Sequence, residues 1–161
     1  MNKAAYKLKG LPPIYCINLD GEPERWESAE NMFKEWEVEN YTRVSAYDGR
    51  EDDLSDILKG KYPDGMSSSE VGCTTSHLKA MKMFLETDAP CALMMEDDCD
   101  ISTVFHWGFT WKDFYAKIPY DYDVIQLIYH QESEKQETVW QTLIRYKRHL
   151  LGNQKLMWSS G

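Results

Sequence analysis

Three consecutive carboxylates, Glu96-Asp97-Asp98, close a short apolar run, Cys91-Ala92-Leu93-Met94-Met95. An apolar run of this length, set between Pro90 and charge, predicts a buried strand. Carboxylates at the exit of such a strand gather where α/β proteins place their ligands. The chemistry on offer is hard-cation binding. Mg²⁺ and Mn²⁺ take oxygen ligands, keep several waters and complete their shell with substrate phosphates, so one or two carboxylates suffice. An ordinary solvated loop at a strand end has the same composition, and Asp100, two residues further on, fits solvent as well as it fits a site.

Other polar groups fall at comparable places. Asn18 and Asp20 sit where an earlier apolar run, Ile14-Tyr15-Cys16-Ile17-Asn18-Leu19, gives way to a loop, and Arg25 follows within reach of a phosphate or a base. The plainer alternative makes Asp20-Gly21 a turn and pairs Arg25 with Glu22 on a helix surface. Ser76 and His77 lie in a segment of helical spacing, where a histidine is more often a satisfied interior residue than a ligand or base. Proton transfer would need a carboxylate or histidine within hydrogen-bond reach of the reacting group. The sequence does not single one out; His130, after the apolar run Val124–Tyr129, and Asp100 are the candidates, while Asp123 precedes that run and falls at its wrong end.

The elements that would position these groups alternate along the chain. Pro12-Pro13 introduces a first strand over Ile14–Leu19, and Glu22-Pro23-Glu24 opens a helix to Glu37 in which Trp26, Ala29, Met32, Phe33 and Trp36 recur at three- and four-residue spacing. Tyr41–Ala46 alternates as a second strand, followed by an acidic, glycine-containing loop to Gly65. Ser67 with Glu70 three residues later is a capping box for a helix to Glu86, with Leu78, Met81, Phe84 and Leu85 on one side. The carboxylate strand follows. A helix is expected over Trp107–Ile118, a turn at Pro119-Tyr120-Asp121 and a buried strand over Val124–Tyr129, whereas Thr138–Leu151 fits neither helical nor strand period. Alternation of strands and helices without repeats predicts an α/β fold with a mostly parallel central sheet flanked by helices.

Composition narrows the class. With 161 residues, 42% hydrophobic and 13% aromatic, the chain can bury a core and is not disordered, and one domain over 1–161 is the default. A net charge of −9 with no Lys/Arg block argues against nucleic acid or anionic membrane as the main partner. No stretch approaches the ~20 apolar residues of a membrane span, and Met1–Gly10 has lysines but no apolar signal core. Four cysteines are too few for a disulfide framework. Cys91 and Cys99 flank an extended segment too long to bridge, so thiols in a reducing, cytoplasmic setting are expected.

The order of three blocks is more specific than any one of them. Ile14–Asp20 followed by Pro23-Glu24-Arg25-Trp26, then Val71-Gly72-Cys73-Thr74-Thr75-Ser76-His77-Leu78-Lys79-Ala80, then Leu93–Asp98, resembles glycosyltransferase family 25, which includes lipopolysaccharide and procollagen galactosyltransferases. The resemblance covers roughly residues 13–130. It implies a GT-A-like, Rossmann-like nucleotide-sugar-binding domain that moves a hexose, galactose or glucose, from a UDP-sugar to a hydroxyl of a glycan, lipopolysaccharide or hydroxylysine-type acceptor, with inversion. It also implies a divalent metal, Mn²⁺ with Mg²⁺ as the alternative, held by Asp98 with Glu96. The donor would lie against Asn18, Asp20, Arg25, Ser76, His77, Glu96 and Asp97.

Such a metal would bridge the diphosphate and neutralise the charge developing on the leaving nucleotide. Family members continue past a segment like Leu156–Gly161, so this chain is expected to be a fragment, a minimal version or a remnant that binds donor. A non-catalytic nucleotide-sugar-binding domain is therefore the rival function. A signalling receiver domain fits less well: its acidic pair follows the first strand, whereas here the triad comes some ninety residues in.

Overall fold

The computed structural model describes residues 2–58, 65–119, 121 and 123–127. The chain divides into two compact units, Met1–Phe114 and Tyr115–Gly161. The first contains a sheet of three parallel strands, β1 (Ile14–Asn18), β2 (Tyr41–Ser45) and β3 (Leu93–Glu96), in the order β2-β1-β3. Ile17 stands opposite Val44 on one side and Glu96 on the other, so the three strands end together. The ladder runs one step further at each side, through Ala46 N–H to the Asn18 carbonyl (2.9 Å) and Asp97 N–H to the Ile17 carbonyl (3.1 Å).

β1 is buried throughout, as a central strand covered on both faces must be. β3 differs from the expected buried strand: all four of its residues are only half-buried. Among the described residues it is an edge, with β1 on one side and no described strand on the other.

α1 (Pro23–Glu35) carries Pro23 in its first turn, where the missing N–H costs nothing. It buries Ala29 and Phe33 against Ile14 and Cys16 of β1. α2 (Ser68–Leu85) starts on the expected capping box: Ser67 Oγ accepts from Glu70 N–H at 3.3 Å, and the Glu70 carboxylate accepts from Ser67 N–H at 2.7 Å.

The face α2 turns inward is not the one its large apolar residues suggested. Gly72, Thr75, Ser76 and Ala80 are the buried residues, with Phe84 and Met83 packed beside them. Leu78, Met81 and Leu85 are exposed. Small side chains let the helix axis come close to its support, and here that proximity decided the face.

A turn of 3-10 helix at Ala5–Leu8 packs Ala4 and Leu8 against Trp36 and Val104. Lys7 Nζ donates to the carbonyls of Val104, Phe105 and Trp107 at 3.2, 2.9 and 2.5 Å, closing the end of a second 3-10 turn, Ser102–His106. The helix expected over Trp107–Ile118 shrinks to the short α3 (Trp111–Tyr115), and the 3-10 turn lies just before the expected range. Two local caps divide the segment. Asp100 accepts from Ser102 N–H and Oγ, and Thr110 and Asp113 exchange side-chain-to-backbone bonds.

In the second unit, residues 124–127 form no strand, and Val124 and Leu127 are 67% and 47% exposed. An apolar run becomes a buried strand only where another strand supplies its ladder, and no described strand pairs with this one. The remainder of that expected strand, His130, and the ambiguous Thr138–Leu151 lie outside the described residues.

Candidate functional site

Because the three strands are parallel and end in register, their exit loops meet at one edge of the sheet, and a cleft lies there. It has an empty volume of about 570 Å³, open solvent at its mouth included. Its walls come from the β1 exit (Asn18, Leu19, Glu22, Arg25), the β2 exit (Ala46–Arg50), the first turns of α2 (Ser69, Cys73, Ser76) and the β3 exit (Glu96, Asp97).

The floor is a chain of side-chain bonds across all three strands. Asn18, 1% exposed, accepts at Oδ1 from Arg43 Nε (2.8 Å) and Nη2 (2.5 Å), and donates from Nδ2 to Asp97 Oδ2 (2.6 Å) and to the Glu22 carbonyl (3.1 Å). Asp97, whose side chain is 5% exposed, also accepts from Arg25 Nη2, and the same guanidinium lies 3.3 Å from Asp98 Oδ2. Enclosing a carboxylate this far is costly unless it is paired and hydrogen-bonded, and Asp97 has both kinds of partner. Asp98 itself is 67% exposed.

Glu96 turns the other way, toward α2. Its Oε1 lies 3.3 Å from His77 Nε2 and 3.5 Å from Cys73 Sγ. The His77 contact is the main reason its carboxyl is held below the usual range. The Cys73 thiol, although exposed on one side, is pushed up to about 11 by desolvation where it packs and by the neighbouring Glu96 charge. Cys16, beneath the site in β1, is pushed to about 12, chiefly by burial and next by Asp97.

The wall after β2 is pinned on α2. Ser76 Oγ accepts from Tyr47 N–H at 2.8 Å and donates to the Gly72 carbonyl at 2.7 Å, and Lys79 Nζ donates to the Ser45 carbonyl at 2.7 Å while lying 4.7 Å from the Tyr47 ring centre. Gly49 and Gly72 meet backbone to backbone. A Cβ on Gly72 would come within 2.5 Å of Gly49 N, and one on Gly49 within 1.9 Å of the Ser68 carbonyl. Gly72 thus lets α2 approach the β2 exit loop rather than the sheet. On the loop itself, Arg50 pairs with Asp48 through two bonds of 2.8 and 2.7 Å, which lower the Asp48 carboxyl to about 2.

Of the residues read from the sequence, Asn18, Arg25, Ser76, Glu96 and Asp97 line this one cleft, with His77 bonded to Glu96 and Asp98 to Arg25. Ser76 has its hydroxyl engaged twice inside the protein and acts there as a brace for Tyr47. Asp20 is turned toward β2, where it accepts from Ser45 Oγ at 2.8 Å and pairs with Arg43 at 2.8 Å; these bonds, that of Ser45 foremost, lower its carboxyl. Asp100 spends its carboxylate on Ser102, which lowers its carboxyl in turn.

Sequence reasoning missed Arg43, Tyr47, Asp48 and Arg50. Arg43 was hidden because its role depends on pairing in register with Cys16, and the others because an acidic loop carries no periodicity. The glycine at 49 was the available signal for a close backbone approach.

For a hard cation the donor set must offer oxygens with unused capacity. Asp97 has one oxygen on Arg25 and the other on Asn18, which leaves Asp98 and Glu96 as the carboxylates that fit a cation completing its shell with water and phosphate.

A parallel sheet flanked by helices, with a polar cleft at its carboxyl edge, defines a Rossmann-like α/β domain of the ligand-binding kind. Residues 11–156 match the family described as glycosyltransferase family 25 (LPS biosynthesis protein), and the chain belongs to that family. It is 28% identical over 126 residues to a glycosyltransferase 25 family member of Drosophila pseudoobscura pseudoobscura, covering 71% of this chain and 20% of that protein. The chain thus spans about a fifth of the length of the curated relative it matches. No solved structure matches it significantly. Among the described residues no helix is long and apolar enough to cross a membrane.

Proposed function

We propose that the chain is a glycosyltransferase domain that transfers a hexose, galactose or glucose, from a UDP-sugar to a hydroxyl of a glycan, lipopolysaccharide or hydroxylysine-type acceptor, with inversion and in the presence of Mn²⁺ or Mg²⁺. Family membership supports the transferase reading. The observation that carries the rest is the position of Arg25 against both Asp97 and Asp98 at the mouth of the cleft, which puts a fixed cation and an exposed carboxylate side by side.

In this reading Asp98, with Glu96, would hold the metal, whose contribution is to neutralise charge on the leaving diphosphate. Arg25 turns its planar fork to the same phosphates, a role for which guanidinium is better shaped than ammonium. Asn18 and Asp97 hold Arg25 in place. Glu96, braced by His77, and Asp97 lie on the donor side, whereas Asp20 acts through Ser45 and Arg43 of β2 and Ser76 through the β2 exit loop. Arg50, on the opposite wall, offers a second cation to an anionic ligand. The acceptor-side base is assigned to no described residue.

The experiment is a calorimetric titration of UDP with Mn²⁺ present and with EDTA, followed by turnover assays over a panel of nucleotide sugars. Binding that needs the cation and fails in Asp98→Asn, with the fold intact, supports the reading. Equal affinity in EDTA removes the metal from it, and cation-dependent UDP binding without transfer from any donor reduces the domain to a nucleotide-binding module.

A further inference from the structure

Cys73 and His77 stand four residues apart in α2 and so share one face of the helix, which they turn toward Glu96 at the end of β3. Cys73 Sγ, His77 Nε2 and a Glu96 carboxylate oxygen all lie within 4.8 Å of one another. We infer that these three side chains form a zinc site at the rim of the cleft, which draws on Glu96 but not on Asp98, the other carboxylate proposed for the hard cation.

The argument rests on donor chemistry and on distance. A thiol sulfur, an imidazole nitrogen and one carboxylate oxygen are a mixed set suited to Zn²⁺, whereas Mg²⁺ and Mn²⁺ favour sites built from oxygens. Around tetrahedral zinc, with Zn–S about 2.3 Å, Zn–N about 2.0–2.1 Å and Zn–O about 2.0–2.2 Å, sulfur and oxygen ligands stand roughly 3.5 Å apart and nitrogen and oxygen ligands roughly 3.3–3.4 Å apart. The Cys73–Glu96 and His77–Glu96 separations are 3.5 and 3.3 Å. The metal-free polar contacts therefore already have the edge lengths of the metal's coordination shell, and only the sulfur–nitrogen edge must close.

All three residues reach solvent, so an ion has a path in. Binding would displace the Cys73 thiol proton to solvent and leave a fourth position for water or an anionic ligand. The supports are rigid: α2 is anchored by its capping box and by the Gly49–Gly72 contact, and β3 by its ladder to β1.

The test is equilibrium dialysis of the full chain against Zn²⁺ in a non-thiol reductant, with Co²⁺ as the spectroscopic probe. One equivalent of Zn²⁺ should bind. Co²⁺ should give the sulfur-to-metal charge-transfer band and intense visible bands of a tetrahedral site, both abolished by added Zn²⁺. Cys73→Ser and His77→Ala should each lower Zn²⁺ affinity by at least about a hundredfold, since even outer-shell partners are worth ten- to a hundredfold.

Cys99→Ser should change nothing. Asp98→Asn should leave the zinc site intact even where it abolishes Mn²⁺-dependent UDP binding, so the two readings fail separately. Absence of a charge-transfer band in a folded protein, or zinc binding unaltered by Cys73→Ser, overturns the inference.

Discussion

The Asn18 amide donates to the Asp97 carboxylate at 2.6 Å and so fastens the exit of β1 to that of β3 across 79 residues of sequence. Asn18 also accepts two bonds from Arg43 of β2. One buried amide therefore holds all three strand ends in fixed relation, and the cleft they frame depends on it. Replacing it by the similarly sized Asn18→Leu would take one charge-assisted partner from Arg43 and one from the buried Asp97, leaving Arg43 to Asp20 and Asp97 to Arg25, at about 1–3 kcal/mol for each bond lost. Urea denaturation should show a loss of about 2–4 kcal/mol. A loss no larger than that of a surface substitution, about 0.5 kcal/mol, would mean water takes over these bonds.

Gly72→Ala sets two effects against each other. Alanine in a helix interior gains up to about 1 kcal/mol over glycine. Against that, its Cβ would fall 2.5 Å from Gly49 N and 2.7 Å from the Tyr47 carbonyl, both backbone atoms that cannot rotate away. The collision should win, costing about 1–3 kcal/mol of overpacking and pushing the 47–50 loop off α2. A thermal melt should show a lower midpoint, and UDP affinity should fall with it. A higher midpoint would show that the loop yields freely.

The Asp48–Arg50 pair makes a pH prediction. Asp48 ordinarily titrates at 3.8 and is lowered to about 2 in the folded protein by the bonds from Arg50. A depressed carboxyl contributes stability that is fully present above its unfolded value and is lost as pH falls through its folded one. The window therefore runs from about 3.8 down to about 2. Because the pair is exposed, the energy is small and screened by salt. The carboxyl carbon of Asp48, followed by NMR, should titrate near 2 and return toward 3.8 in Arg50→Ala. An unchanged midpoint in that variant would dissociate the shift from Arg50.

Much of this arrangement could be read from the chain before its structure. Ser67 and Glu70 announce the start of α2, Pro23 the start of α1, and two apolar runs with the alternation of Tyr41–Ala46 the three strands, because each signal is local. The face of α2 was not legible. Leu78, Met81 and Leu85 give the stronger apolar stripe, but the helix packs by Gly72, Ser76 and Ala80, since what covers a face is decided by the close approach of another segment. The same limit hid Arg43, whose partner Asn18 is set by strand register, and made a strand of Val124–Tyr129 on apolar content alone, where residues 124–127 form none. At the site, the sequence showed that carboxylates would converge. It did not show how Glu96, Asp97 and Asp98 divide their partners among α2, Asn18 and Arg25.

That division bears directly on Arg25. With its side chain 46% exposed, Arg25 by itself would be a cheap residue to remove. Its partner changes the balance, since Asp97 is 5% exposed and would keep only the Asn18 amide. Breaking a fully buried pair costs about 3–5 kcal/mol; with one half-exposed member the loss should be nearer 1–2 kcal/mol. Neutralising the orphan separates the two effects. Asp97→Asn in the Arg25→Ala background should recover most of the lost stability in urea, because no uncompensated charge remains. It should recover none of the UDP affinity, which depends on the guanidinium itself, and that affinity should stay at least about tenfold down, the loss of one charge-assisted bond. Recovery of affinity along with stability would show that Arg25 serves the cleft only by holding Asp97, and would leave Arg50 as the cation facing the ligand.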